Sequence, residues 1–487
     1  MIDLTLHEEP LARAAGRARE RSIVVPTFAQ MRDPALVPGE VVDRLRGVGL
    51  WDLDPLNLFR ITWHNEPVAH GGGYGPVEII EFPSELTGVP ARILTLVGKW
   101  FPTGAHKVGA AFGCLVPELV TGGFDPTTQK AVWPSTGNYC RGGAYDANLL
   151  GCESVAILPE GMSRERFDWL RTVAGEIIST PGTESNVKEI FDECNRIRAS
   201  GEDVVIFNQF EQFGNYLWHY SVTGSAMAEV LADHLQPGDE YRGVVLTTGS
   251  AGTIASGDLL KQRWPGSKIA AGEALQCPTL LYAGHGEHRI EGIGDKHVPW
   301  IHNVKNTDLV IAVDDEAPMS LIRVFNEPAG HDHLASVGVP DEIIARLPEL
   351  GISAVANLVA SVKFAKWYEL GPHDVVLTMA TDSMELYRSR LGELEAERGP
   401  LSTADARLAH ERWLFGAGID HMRELDHWQR RRIHDLKYFT WIEQQGRSSA
   451  ELDAQWHDPG YWTSIQGQVD EIDRLIVEFN ERVGTGG

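Results

Sequence analysis

The sequence predicts an α/β fold built on parallel sheets, and three features carry that expectation. Seven short runs are apolar without alternation, as strands buried on both faces are: SVAIL (154–158), EIIST (176–180), DVVIF (203–207), GVVLTT (243–248), KIAAGE (268–273), DLVIAV (308–313) and DVVLTM (374–379). Amphipathic helical stretches separate them, at 163–174, 184–199, 216–234 and 252–263. A length of 487 residues also exceeds what one hydrophobic core serves, so two to three domains are expected.

In chain order, residues 1 to about 85 are rich in proline and loop formers and read as an extension. HGGGYGP (70–76) reads as a flexible connection, because its glycines follow no strand and open no helix. A strand ends near Val97 and passes through a Pro-Thr-Gly turn into an Ala/Gly-rich helix. A second short apolar strand precedes WPSTGN (133–138), and the strand–helix alternation then runs on to about 391. From about 392 the strands stop. LSTADARLAHERW (401–413) opens with Ser402 and Asp405 at capping-box spacing and continues as a helix. Trp413, Trp428, Trp441, Trp456 and Trp462 crowd this tail, which implies burial on its own core, on the main core or on a partner subunit.

Composition excludes several classes. Forty-three basic against 68 acidic residues give a net charge of −25, a surface that repels nucleic acid and anionic membranes. The basic run Arg430–Arg432 is flanked by Glu424, Asp426 and Asp435 and reads as a solvated helix face. No apolar run is long enough to span a bilayer, and no secretion signal is expected from the opening residues. Five cysteines (114, 140, 152, 194 and 277) lack CxxC spacing and read as reduced thiols of a cytoplasmic protein. His410, His421, His427 and His434 have no consistent i, i+4 pair, so no metal site is expected there.

Three segments carry chemistry. In GKWFPTGAHKVGAAFG (98–113), Lys107 falls in the first turn of a helix, where exposed N–H groups and the helix dipole favour the neutral amine. An ordinary surface lysine is the alternative. In the turn Ser135-Thr136-Gly137-Asn138, hydroxyls, N–H groups and an amide converge in a way that suits a carboxylate or phosphate, or that simply caps the helix. In VVLTTGSAGTIASGDLLK (244–261), a strand, a small-residue loop and a helix form an anion cradle with Ser250 and Thr253 as added donors. A nicotinamide-dinucleotide site is the rival reading, with Glu273 as the ribose acid, but glycines 249, 252 and 257 are not spaced as G-x-G-x-x-G.

Taken with LTGVPARILTLVGKWFPTGAHKVGAA, PSTGNYCRGGAY, LPEGMSRERFDWLRTVAGEIISTPG, NQFEQFGNYLWHYSVTG and HRIEGIGDKHVP, these segments make the chain from about 86 to 385 resemble one enzyme family. That family is the fold-type-II pyridoxal-phosphate enzymes, in the cysteine synthase and cystathionine β-synthase branch of the tryptophan synthase β-subunit superfamily. The resemblance implies two parallel-sheet αβα domains with the cofactor, pyridoxal 5'-phosphate, in the cleft between them. It divides the chain into an N-terminal extension (1–85), a core part with the smaller movable domain (86–240), a larger core domain (241–391) and a helical C-terminal extension (392–487).

Residue by residue, the resemblance makes Lys107 the Schiff-base lysine that also moves the α-proton. Asn138 would bond the cofactor's phenolic oxygen, and Gly249, Ser250, Ala251, Gly252 and Thr253 would hold its phosphate. Ser135, Thr136, Gly137, Asn138 and Tyr139, with Gln209, would take the substrate α-carboxylate, and Gly292-Ile293-Gly294 would line the substrate side. Relatives usually carry glycine where Ala251 stands. The lysine segment reads GAHK, so His106 either stacks near the phosphate or packs. Tyr139 replaces a smaller residue and either narrows the carboxylate pocket or adds a phenol. For the pyridine-nitrogen partner, alignment falls on Ala380, leaving Thr381 as first candidate, Thr378 second and Asp382 third. The implied activity is chemistry at the β-carbon of a small L-amino acid through an aminoacrylate: β-replacement first, α,β-elimination as the alternative. A homodimer or larger homo-oligomer is implied as well.

Overall fold

The computed structural model describes residues 1–135, 137–182 and 187–484. Eleven strands are found among the described residues: β1 (Ile79–Phe82), β2 (Arg92–Val97), β3 (Lys130–Pro134), β4 (Glu153–Pro159), β5 (Glu176–Thr180), β6 (Val204–Ile206), β7 (Glu240–Thr247), β8 (Lys268–Ala274), β9 (Leu309–Val313), β10 (Asp374–Ala380) and β11 (Met422–Glu424). They form two sheets. The smaller is fully parallel, in the order β5-β4-β3-β6. The larger runs β1-β2-β10-β7-β8-β9-β11, parallel except for the antiparallel edge strands β1 and β11.

Burial on both faces accounts for the unbroken apolar runs. In β10, Val375, Leu377 and Met379 enter one hydrophobic core while Val376 and Ala380 enter another on the opposite face. The chain passes through the larger sheet first, because β1 and β2 precede the smaller sheet in sequence yet pair beside β10. β11 is a difference from the sequence reading, which ended the strands near 392. Its three residues are too few for a periodicity signal, and they are strand only because they complete the edge of β9.

Close helix packing brings the sheets together. The helix Lys107–Thr121 touches the helices Asn138–Leu149 and Phe213–Trp218 along its length. A side chain at Gly214 would collide with the Gly113 backbone, so the Gly-rich composition here is a packing requirement. Behind the same helix, Gln468–Val483 buries Ile472, Leu475, Ile476, Phe479 and Val483 beside the N-terminal helix Glu8–Glu20. These two terminal helices both pack on the Lys107 helix. The 70–76 segment is pinned rather than loose: the buried Arg60 donates to Gly72 O at 2.6 Å, and Tyr74 Oη donates to Phe59 O at 2.8 Å. The Ser402–Asp405 capping box forms as expected. No helix among the described residues is long and apolar enough to cross a membrane.

Candidate active site

Loops at the carboxyl ends of β3, β7 and β10 face one another across a cleft between the sheets, where ligands of open α/β sheets bind. Lys107 enters the cleft from the first turn of its helix. Its Nζ lies 3.0 Å from Ser250 Oγ and 3.0 Å from Gln209 Oε1. Gln209 Nε2 in turn donates to Ser135 Oγ at 3.2 Å. One amine thus joins the loop after β7 to the loop after β3.

The loop after β7 is shaped as an anion cradle. Residues 249–253 lead into the helix Ile254–Arg263, whose first N–H groups have no partners within the helix. Ala251 sits at φ +61°, a conformation that glycine adopts without strain. The buried Asn215, which sequence reasoning missed, donates from Nδ2 to Ser250 Oγ and Gln209 O, both at 2.9 Å, and fixes the cradle against the lysine. Its only sequence signal is its place six residues after Gln209.

On the facing side, Ser135, Gly137, Asn138 and Tyr139 line the cleft, and Ser135 Oγ accepts from Gly137 N at 3.1 Å. Thr136 lies outside the described residues. Asn138 Nδ2 donates to Asp382, leaving Asn138 Oδ1 buried without a partner among the described residues. The Tyr139 ring packs edge-on against Trp133, 5.5 Å between centroids, and its buried hydroxyl lies beside Cys114. The residue lines the cleft without presenting its phenol.

The third wall comes from β10 and the helix Ile352–Trp367. Thr381 Oγ1 lies 2.9 Å from Ser353 Oγ, a hydroxyl pair whose second member the sequence reading did not single out. Thr378 instead donates to Val245 O at 2.7 Å inside the sheet, which removes it from the cleft. Asp382 lines the cleft, but its carboxylate receives Asn138 Nδ2 and Tyr387 Oη, and burial pushes its pKa up to about 6. His106 bonds Thr381 O through Nδ1 at 3.1 Å and stacks on Trp63, while its Nε2 is buried without a partner among the described residues. Burial holds it neutral, with its pKa lowered to about 3. Gly292 and Ile293 line the remaining side.

This donor set fits pyridoxal phosphate: an anion cradle, an amine within reach of it, a hydroxyl pair across the cleft, and buried polar atoms without protein partners. It does not fit a dinucleotide. Glu273 spends its oxygens on Leu280 N and Leu281 N, 2.8 Å each, and is absent from the cleft lining.

Comparison with known proteins agrees with the geometry. Residues 76–330 match the family described as pyridoxal-phosphate dependent enzyme. A cysteine synthase B of Campylobacter jejuni is 30% identical over 241 residues, spanning 49% of this chain and 71% of that protein. A probable cysteine synthase of Bacillus subtilis is 26% identical over 292 residues, spanning 59% of this chain and 85% of that protein. Among solved structures, an O-acetylserine-dependent cystathionine β-synthase from Helicobacter pylori superposes with a TM-score of 0.53 at 22% identity, covering 64% of this chain and 94% of that one, and so shares the fold. The chain belongs to the pyridoxal-phosphate dependent enzymes, of the cysteine synthase and cystathionine β-synthase kind.

Proposed function

We propose that this protein acts at the β-carbon of a small L-amino acid and replaces one β-substituent by another. The observation that carries the reading is Lys107 Nζ, 3.0 Å from both Ser250 and Gln209, so that one amine serves the anion cradle and the opposite wall together. Lys107 would hold the cofactor covalently and, once displaced by the substrate amine, would take the proton from the substrate Cα. The N–H groups of Gly249, Ser250, Ala251, Gly252 and Thr253 would fix the phosphate, and Asn138 the phenolic oxygen. Thr381, with Ser353 behind it, would meet the pyridine nitrogen. Bound there, pyridoxal phosphate supplies the sink for the electron pair left at Cα. Ser135, Thr136, Gly137, Tyr139 and Gln209 would hold the α-carboxylate and turn the Cα–H bond toward Lys107, converting an encounter into a positioned step. Gly292 and its neighbours would face the substrate side chain.

The cysteine synthases among its relatives favour replacement over elimination. Residues 86–240 and 241–391 would form the two core domains, flanked by extensions at 1–85 and 392–487. Work in the cytoplasm fits five free, buried cysteines. A homodimer or larger homo-oligomer fits the exposed aromatics Trp428 and Phe439. The test is the visible absorbance of the purified protein with pyridoxal phosphate. Wild type should show a violet-region band that borohydride removes while fixing the cofactor to Lys107; Lys107→Ala should show neither. Product analysis with and without a thiol then separates replacement from elimination. Absence of the band in wild type would overturn the reading.

A further inference from the structure

The cleft contains a carboxyl that none of the roles above uses. Asp295 follows the Gly292-Ile293-Gly294 strip and lines the cleft that holds Lys107 and Gln209. Its backbone is fixed on both sides: Gly294 N donates to Thr248 O at 2.8 Å, and Thr279 Oγ1 donates to Asp295 O at 2.7 Å. The strip lies flush against the anion loop, since a side chain at Gly249 would meet Gly292 O at 2.8 Å. Gly294, at φ +84°, also accommodates His288, whose Nε2 lies 2.9 Å from its carbonyl. All this rigidity presents a carboxyl group that is only 7% exposed and whose Oδ2 has no hydrogen-bond partner among the described residues. A buried polar atom held this firmly and left unpaired calls for a partner that arrives with the ligand.

Resting on the proposed β-carbon reading, we infer that Asp295 is the catalytic acid and base for the group exchanged at the β-carbon. In the first half-turnover the Cβ–X bond breaks with its electron pair on X, and X takes the proton from Asp295 Oδ2. In the second half, a lone pair of the incoming nucleophile forms the new bond to Cβ, and its proton passes to Asp295 Oδ2. The carboxyl is thereby restored, and no oxidant or reductant is needed. An acid at this place suits leaving groups that need a proton, so the substrate class is an amino acid with a β-hydroxyl or β-thiol rather than an acyloxy group.

The protonation state supports the geometry. Burial raises the Asp295 pKa to about 7, opposed by the nearby Lys107. The other titratable groups around it are His106 and Asp382 in the cleft, His288 behind Gly294 and the Cys277 thiol. Burial favours the uncharged form of His106, His288 and Cys277. A group poised near neutrality can give and take the same proton.

The test is Asp295→Asn in the cofactor-loaded enzyme, with the first half-reaction followed by rapid-mixing absorbance for L-serine and O-acetyl-L-serine. The L-serine rate should fall by about a hundredfold or more, within the range of acid–base catalysis, and the O-acetyl-L-serine rate by less than about threefold. Asp295→Glu should recover much of the L-serine rate. Infrared difference spectra of wild type should show a protonated-carboxyl band that is lost as pH rises through about 7 and is missing from Asp295→Asn. Equal effects on both substrates, no effect on either, or absence of that band would overturn the assignment. A wild type that binds no cofactor and turns over neither compound would instead remove the underlying function. If Asp295→Asn does not fold, the same comparison is made with Asp295→Ser.

Discussion

Arg166 and Glu291 form a buried ion pair across the two sheets, 2.7 Å apart, with side chains 0% and 4% exposed. Arg166 stands on the helix Arg164–Val173, which packs on the smaller sheet, and Glu291 immediately precedes the Gly292 strip beside the larger one. The pair is tied into the cleft wall. Arg166 Nη2 donates to Tyr387 Oη at 2.9 Å, and Tyr387 and Asn138 both donate to Asp382. Arg390 holds the other Glu291 oxygen at 2.6 Å. A side chain at Gly137 would strike the Arg166 guanidinium, so the loop after β3 rests directly on this fastening.

Removing Arg166 should therefore loosen both stability and the cleft. Arg166→Ala leaves the buried Glu291 with Arg390 as its cation and takes a donor from Tyr387, a change that costs about 1–3 kcal/mol. Urea denaturation should report that loss, and the affinity for pyridoxal phosphate should fall with it. A variant within about 0.5 kcal/mol of wild type would show that the pair is dispensable.

Glu273 gives a prediction in pH. Burial raises its pKa from an ordinary 4.5 to about 8, against the pull of the Leu280 and Leu281 N–H groups. Between those values the unfolded chain has lost the proton and the folded chain keeps it. Stability contributed by this group is therefore lost as pH rises through the window, at up to about 1.4 kcal/mol per unit. Glu273→Gln does not titrate. Denaturation at stepped pH should show wild type losing ground to the variant from about pH 5 to about pH 8, and a flat difference would refute the assignment.

Strands buried on both faces announce themselves by unbroken apolar runs, which is why DLVIAV was legible to within one residue as β9, every residue of which is buried. Lys107, Ser135 and Ser250 were legible because each follows a strand and opens or precedes a helix. Asp295, Asn215 and Ser353 were not. They reach the cleft only through tertiary contacts, and nothing local separates an unpaired aspartate from a solvated one. The choice among Thr381, Thr378 and Asp382 likewise needed the fold, since only hydrogen bonding shows that Thr378 turns into the sheet. The 70–76 loop misled because its anchors, Arg60 and Phe59, lie outside the motif.

Ala251 offers a stabilising change. An L-residue at φ +61° bears about 1–2 kcal/mol of left-handed strain, and glycine removes it while losing about 0.5–1 kcal/mol to greater freedom in the unfolded chain. Ala251→Gly should gain up to about 1.5 kcal/mol, seen as a small rise in Tm. A fall in Tm would show that the Ala251 methyl packs more favourably than its backbone is strained.

The C-terminal extension should be inseparable from the core. Trp441 is fully buried, donates from Nε1 to Val298 O at 2.8 Å, and packs on Phe191, His297 and Trp300. Lys437, equally buried, donates to Trp300 O, His302 O and Gln455 Oε1 at 2.7–2.9 Å. The segment that follows the Gly292 strip is thus clamped by the extension, while Gln468–Val483 braces the Lys107 helix from behind. Trp441→Ala leaves a large cavity and an unpaired carbonyl and should cost about 3–5 kcal/mol. Deleting 395–487 should uncover the apolar backs of the Lys107–Thr121 and Phe213–Trp218 helices and yield aggregated protein. Light scattering and cofactor absorbance check both variants. A truncated chain that stays dispersed, keeps its oligomeric state and retains the violet band would mean that the core folds alone and the extension serves another purpose.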